Sequence, residues 1–237
     1  MTHLPVELSG TGSGPALIVP IFGEADTLAH KAESAASKGA TMVEWRADLS
    51  PNWEASIDAL RDSPLPVIAT IRTDREGGEY AGTGVDYGQA VLSLARGPFV
   101  ALDVEINRSA APSIIPVLHD MGLPVIASHH NFNETPRNDD ILDTIRVMEE
   151  MEADVFKIAF MPTNPDDTWR QMDLSRKLKG QFGVPIISIS MGAEAAWTRV
   201  AAGALGSVAT FAALDAGSAP GQIDVSLMRD VLRSLGG

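Results

Sequence analysis

The chain has 237 residues, 45% of them hydrophobic and 5% aromatic, which suffices for a substantial core of Ile, Leu, Val, Ala and Met. A formal net charge of −13, from 31 acidic and 18 basic residues, argues against nucleic acid or an anionic membrane surface as a partner. There is no cysteine, which excludes disulfides and thiolate metal sites.

The N-terminus, MTHLPVELSG, lacks the charged start and apolar run of a signal peptide. No apolar run approaches the ~18 residues of a membrane span, so a soluble cytoplasmic protein is expected. Short apolar, β-branched runs then recur along the chain. They are ALIVPI from Ala16, TMVEWRAD from Thr41, PVIATIRT from Pro66, PFVALDVEI from Pro98, PVIASHHNF from Pro124, DVFKIAF from Asp154, PIISIS from Pro185 and GSVATFAA from Gly206. Their spacing of roughly 22 to 32 residues is the room a strand and a helix need in a βα unit.

The stretches between them read as helices. EADTLAHKAESAASKGA has apolar spacings near 3.6 and a stop at Gly39. SPNWEASIDALRDS predicts a helix with Ser50 as N-cap, Pro51 at the first position and Glu54 in the first turn. A further helix is expected from Thr135-Pro136, another ending at Gly183, and a last one over QIDVSLMRDVLRSLGG. No linker or low-complexity segment interrupts the rhythm. Residues 1–237 are therefore expected to form a single (β/α)8 barrel, an α/β TIM barrel with parallel strands. An open doubly wound sheet fits less well, because no GxGxxG follows the first strand.

Alternation along the strands sorts the polar residues. Leu102, Val104 and Ile106 share one face of their strand, and Asp103 and Glu105 the other. The same parity groups Glu44 with Arg46 and Asp48, Thr70 with Arg72, and Lys157 with Val155 and Ala159. If the apolar faces meet helices, the axis carries Glu44, Arg46, Asp48, Arg72, Asp103, Glu105 and Lys157, toward the later residues of each strand. Catalytic groups of barrel enzymes sit at those ends.

Lys157 is the one lysine of five that lies in a strand pattern. Such a lysine either holds a permanent ion pair or, with a lowered pKa, attacks a carbonyl as a free amine. Residue type alone leaves both open. His129 and His130 end a strand, where an imidazole is well placed as acid or base. They face opposite ways, and parity leaves open which meets the axis, although His130 shares its side with Ser128. His3, His30 and His119 are expected to be solvated. Neither HExxH nor a His/carboxylate cluster at helical spacing supports a metal site. EGGEYAGTG after Arg72 reads as a mobile loop able to close over a ligand, and GSAPGQ at Gly217 to Gln222 as a loop contacting an anion or hydroxyl.

Six pieces in this order, EWRAD, IRTDREGGE, SHHNFNETP, FKIAFMP, SISMG leading to TRVAAGALGS, and SAPGQI, resemble the type I 3-dehydroquinate dehydratases, Schiff-base (β/α)8 barrels of the shikimate pathway and aromatic amino acid biosynthesis. The resemblance implies a lyase that converts 3-dehydroquinate to 3-dehydroshikimate without metal or organic cofactor, working as a cytoplasmic homodimer. It implies that Lys157 forms the imine, that His130 is the general acid/base and that Glu76 positions it. It further implies that Arg199 binds the substrate carboxylate, that Glu44, Arg46 and Arg72 contact the ring hydroxyls, and that Ser218 and Gln222 complete the pocket. The chain departs from the family in two places. Asn131 stands where Asp usually follows the catalytic histidine, and Pro20 stands where a small hydroxyl residue is common. A class I aldolase barrel acting on sugar phosphates and a non-catalytic ligand-binding barrel are the competing readings.

Overall fold

The computed structural model describes residues 3–12, 14–215 and 218–235. The eight apolar runs each form a strand: β1 (Ala16–Ile21), β2 (Met42–Arg46), β3 (Val67–Thr70), β4 (Ala101–Glu105), β5 (Val125–Asn131), β6 (Val155–Phe160), β7 (Ile186–Ser190) and β8 (Ala209–Ala213). A two-residue strand, β9 (Ile223–Asp224), adds to the end of β8. All pairings in the order β7-β6-β5-β4-β3-β2-β1-β8-β9 are parallel. The circle is closed between β7 and β8, where the Val208 N–H donates to the Ile186 carbonyl at 2.9 Å and the Ser188 N–H donates to Ser207 Oγ at 3.1 Å. The architecture is the (β/α)8 barrel that the spacing predicts.

Helices α1 (Ala25–Lys38), α2 (Gly84–Leu94), α3 (Ala111–Asp120), α4 (Asn138–Glu150), α5 (Pro165–Leu178), α6 (Trp197–Val200) and α7 (Val225–Ser234) follow their strands. Helix α1 stops at Gly39 as expected, with φ of 99° and its N–H returned to the last carbonyls. Helix α4 begins three residues after Thr135, because the Thr135 and Pro136 carbonyls accept from Arg170 of α5.

The segment after β2 differs from expectation. It is a 3-10 helix, Trp53–Leu60, preceded by Asn52 at φ 48°. Ser50 caps nothing there. Its hydroxyl accepts from the indole N–H of buried Trp45 at 3.0 Å and from the Gly23 N–H at 3.2 Å, and donates to the Arg46 carbonyl. A buried indole N–H needs an acceptor, and this tertiary demand outweighs the local capping preference. His119 also departs from a solvated reading, since its Nε2 lies 3.0 Å from Asp154 Oδ2.

Strand alternation separates two apolar regions. Leu17, Val43, Ala69, Leu102, Phe156 and Ile158 pack outward beneath the helices. Ile18, Met42, Ile68, Ile126, Val155 and Ile187 fill the lower axis. Two residues further along most strands, the axis changes character. Met42 gives way to Glu44, Ala101 to Asp103, Ile126 to Ser128 and Val155 to Lys157, all buried. The apolar layers keep water out from below, so the ionic layer can meet solvent and ligands only at the C-terminal mouth.

Candidate active site

A cavity at that mouth is lined by all nine residues singled out in the sequence: Glu44, Arg46, Arg72, Glu76, His130, Lys157, Arg199, Ser218 and Gln222. Phe132, Ile189, Met191 and Phe211 supply apolar walls that the sequence did not mark. Asp103 and Glu105 face the axis as parity predicts, just behind the lining residues.

Lys157 projects from the middle of β6, with Phe156, Ile158 and Phe160 on the opposite face against the helices. Its Nζ donates to Asp103 Oδ2 at 2.8 Å and to Glu44 Oε1 at 3.2 Å, and lies 4.7 Å from the centre of the Phe211 ring. The lysine's nearest charged partners are thus carboxylates and not arginines. Asp103 is also gripped through Oδ1 by Arg72 Nη2 at 2.7 Å and by the Ser128 hydroxyl at 2.6 Å. Burial opposes the charge on Asp103, but Arg72 and Lys157 more than offset it and hold the carboxyl well below the usual range.

Arg72 is the hub. It bonds Asp103, Glu105 Oε1 at 3.2 Å and Ser128 Oγ at 2.9 Å. Burial would lower its pKa, yet four surrounding carboxylates keep it firmly charged. Arg46 is held bidentately by Asp48, with Nε at 2.8 Å and Nη2 at 2.6 Å. Asp48 also accepts from the Arg72 and Glu79 backbone N–H groups, which ties Arg46 to the loop after β3. That loop reads as mobile in the sequence. In the structure its base is fastened by Asp48 and by mutual bonds between Asp74, Tyr80 and Arg72. Gly77 within it, at φ 80°, packs so closely on Phe132 that any Cβ would overlap the ring.

Of the two histidines, His130 faces the axis. Its Nδ1 lies 3.0 Å from Glu76 Oε2, and its backbone N–H donates to the same oxygen at 2.9 Å. A carboxylate on Nδ1 leaves Nε2 with its lone pair available. Desolvation, followed by Arg72 and Lys157, outweighs the Glu76 hydrogen bond and lowers the His130 pKa to about 4, so the ring is a neutral base near pH 7. For Glu76 burial acts upward, but its contacts with the His129 and His130 rings and the charge on Arg72 prevail and hold it well below the carboxylate range.

Arg199, on α6, presents the opposite case. Its Nη2 donates to the Pro220 carbonyl at 3.0 Å, but Nε is buried without a partner. Burial lowers its pKa to about 10. Among the described residues no carboxylate forms an ion pair with it, which leaves a guanidinium fork facing the cavity. Ser218 and Gln222 bond one another, Ser218 N–H to Oε1 at 2.8 Å and Nε2 to Oγ at 3.3 Å. Gly217, the start of the loop expected there, lies outside the described residues.

The type I 3-dehydroquinase family model matches residues 17–237. The chain belongs to the type I 3-dehydroquinase family. It is 33% identical to a 3-dehydroquinate dehydratase of Listeria monocytogenes over 230 residues, covering 92% of this chain and 91% of that protein. A crystal structure of the Geobacillus kaustophilus 3-dehydroquinate dehydratase superposes with a TM-score of 0.88 at 29% identity, covering 94% and 92% of the two chains. The Clostridium difficile type I enzyme, solved with covalently modified comenic acid, also gives 0.88, at 27% identity and 95% and 94% coverage.

The two departures from the family lie off the cavity wall. The Asn131 Oδ1 accepts from the Asn133 and Glu134 backbone N–H groups at 2.9 and 3.2 Å, a loop-shaping role open to an amide or a carboxylate alike. Pro20 lines a separate hollow with Phe22, Lys31 and Leu214.

Proposed function

We propose that this chain, as a single (β/α)8 catalytic domain, dehydrates 3-dehydroquinate to 3-dehydroshikimate through an imine on Lys157. The observation that carries the reading is the shared cavity of Lys157, a neutral His130 and the uncompensated Arg199.

Arg199 takes the substrate carboxylate in its fork, with no resident anion to displace. Glu44, Arg46 and Arg72 meet the ring hydroxyls, and Ser218 with Gln222 covers the mouth. The Lys157 ammonium sheds one proton, and the amine adds to the C3 ketone. Loss of water gives the iminium, which carries the same single positive charge as the ammonium and keeps Asp103 and Glu44 as counter-ions. The iminium acidifies the C2 proton. Nε2 of His130 removes it, and the electron pair flows into the iminium to give a neutral enamine. His130 then returns its proton to the C1 hydroxyl, which leaves as water as the enamine pushes back. Water releases the conjugated ketone and the free amine, so the net change is the loss of one water. No cofactor is required. The homodimeric state and the cytoplasmic location implied by the resemblance belong to this proposal as well. Their support is the family membership and the absence, among the described residues, of a helix long and apolar enough to cross a membrane.

The deciding measurement is the ultraviolet absorbance of the enone formed from 3-dehydroquinate, with borohydride reduction run in parallel. We expect turnover and a substrate adduct on Lys157, both lost in Lys157→Ala. An adduct with sugar phosphates alone would favour the aldolase reading, and binding without enone would favour a non-catalytic barrel.

A further inference from the structure

Glu76 meets two histidines, one with each carboxylate oxygen. Oε2 serves His130, as described. Oε1 lies 3.4 Å from His129 Nδ1 and 3.4 Å from Asn107 Nδ2. Those two nitrogens are themselves only 2.6 Å apart. Neither Asn107 nor His129 lines the cavity, and the His129 ring stands edge-on to Phe160 with centroids 5.6 Å apart.

The chemistry of the cluster fixes its protons. An ionised carboxylate only accepts, so the Asn107 atom facing Oε1 is the amide NH2. Its second N–H points at His129 Nδ1, which must accept it, and the His129 proton therefore sits on Nε2. Asn107 thus bridges the Glu76 carboxylate and the His129 ring. On the other side, Arg72 Nη1 lies 3.8 Å from Glu76 Oε2 and competes with His130 for that oxygen. Asp103 and Lys157 act on the His130 ring through space, and Glu105 faces Glu76 as a like charge. On the Oε2 side the His130 backbone N–H, at 2.9 Å, opposes Arg72; the rest of the restraint on the carboxylate's rotation comes through Oε1.

We propose that Asn107, oriented by His129, locks Glu76 through Oε1, both acting as positioning residues, so that Oε2 stays on the Nδ1–H of His130 and Nε2 of His130 remains the nitrogen free to move the substrate proton. This rests on the dehydratase reading of the site. Without the lock only the His130 backbone N–H opposes the pull of Arg72 on Oε2, the Nδ1–H of His130 shares its acceptor with Arg72, and the ring populates both tautomers.

Two variants separate this role from mere packing. His129→Phe keeps a ring against Phe160 but removes the acceptor. His129→Asn restores a polar atom near the position of Nδ1. In His129→Phe we expect kcat to fall about 10-fold to 100-fold, the cost of small misplacements at a reacting centre, with KM and the borohydride-trapped adduct unchanged. Nitrogen-15 spectra of labelled histidines, assigned with His130→Ala, should show His130 leaving the single Nδ1–H tautomer. His129→Asn should recover most of both. The proposal is overturned by a His129→Phe enzyme that keeps the single His130 tautomer, whatever its rate, or by a His129→Asn enzyme as impaired as His129→Phe. The tautomer measurement needs no substrate. If the unmodified protein forms no enone, the dehydratase reading fails while the spectra still decide this one.

Discussion

The amine of Lys157 and the carboxylate of Asp103 lie 2.8 Å apart, both buried, on strands β6 and β4. Asp103 cannot turn away, because Arg72 and Ser128 hold its other oxygen. The lysine is therefore both a stored ion pair and a candidate nucleophile, and the two readings of it are compatible. The pair that stabilises the ammonium also stabilises the iminium that would replace it.

Asp103→Asn tests this pairing. The amide keeps the shape but removes the charge that offsets both cationic forms. Borohydride trapping with 3-dehydroquinate, sampled over time, should show slower adduct formation, and kcat should fall by at least about tenfold. Wild-type trapping kinetics would show that Asp103 is only a structural support.

His130 sets the acid limb of activity. Its folded pKa is lowered to about 4 from an ordinary value of 6.5. As a base it must be neutral, so kcat/KM should persist below pH 6 and fall only as pH drops through about 4. Stability follows the same sign: it is complete above 6.5, and is lost between 6.5 and about 4 as the unfolded chain takes up a proton that the folded site refuses. A pH-rate profile breaking near 6.5 would contradict this. His130→Ala should still trap an adduct while turning over very slowly.

Arg199→Gln removes the cavity guanidinium that meets no carboxylate among the described residues. Because no carboxylate among the described residues pairs with the charge, and the Pro220 carbonyl is the partner lost, the fold should tolerate the change, and thermal melting should move little. KM should rise by roughly 10-fold to 100-fold, the scale of a charge-assisted hydrogen bond worth about 1.5–3 kcal/mol. An unchanged KM would place the substrate carboxylate elsewhere.

Asp48→Ala leaves Arg46 buried without its bidentate partner and frees two backbone N–H groups of the β3 loop. Breaking a buried pair on one side costs about 3–5 kcal/mol, so urea titration should show a correspondingly lower midpoint. Turnover should fall as well, since Arg46 and the Glu76 loop lose their common anchor. A midpoint equal to wild type would mean that water replaces Asp48 at no cost.

The local code carried much of this molecule. Apolar runs at βα spacing fixed eight strands, and strand parity alone assigned Glu44, Arg46, Arg72, Asp103, Glu105 and Lys157 to the axis, because side-chain direction in a strand depends only on sequence position. The motifs likewise brought together the nine residues that line one cavity. What the local code could not supply was partnership. Ser50 reads as a helix cap until the fold brings Trp45 and Gly23 to it, and a 3-10 turn results. His129 and His130 are indistinguishable by type, and the fold decides between them: Glu76 meets the Nδ1 of both, but of the two His130 lines the cavity. Lys157 finds Asp103 across 54 residues and Glu44 across 113, while Arg199 finds no carboxylate among the described residues. Which charges meet depends on strand register and on closure of the barrel, distances set by the whole sheet, so the tertiary structure alone decided which groups are neutralised and which are left free to act.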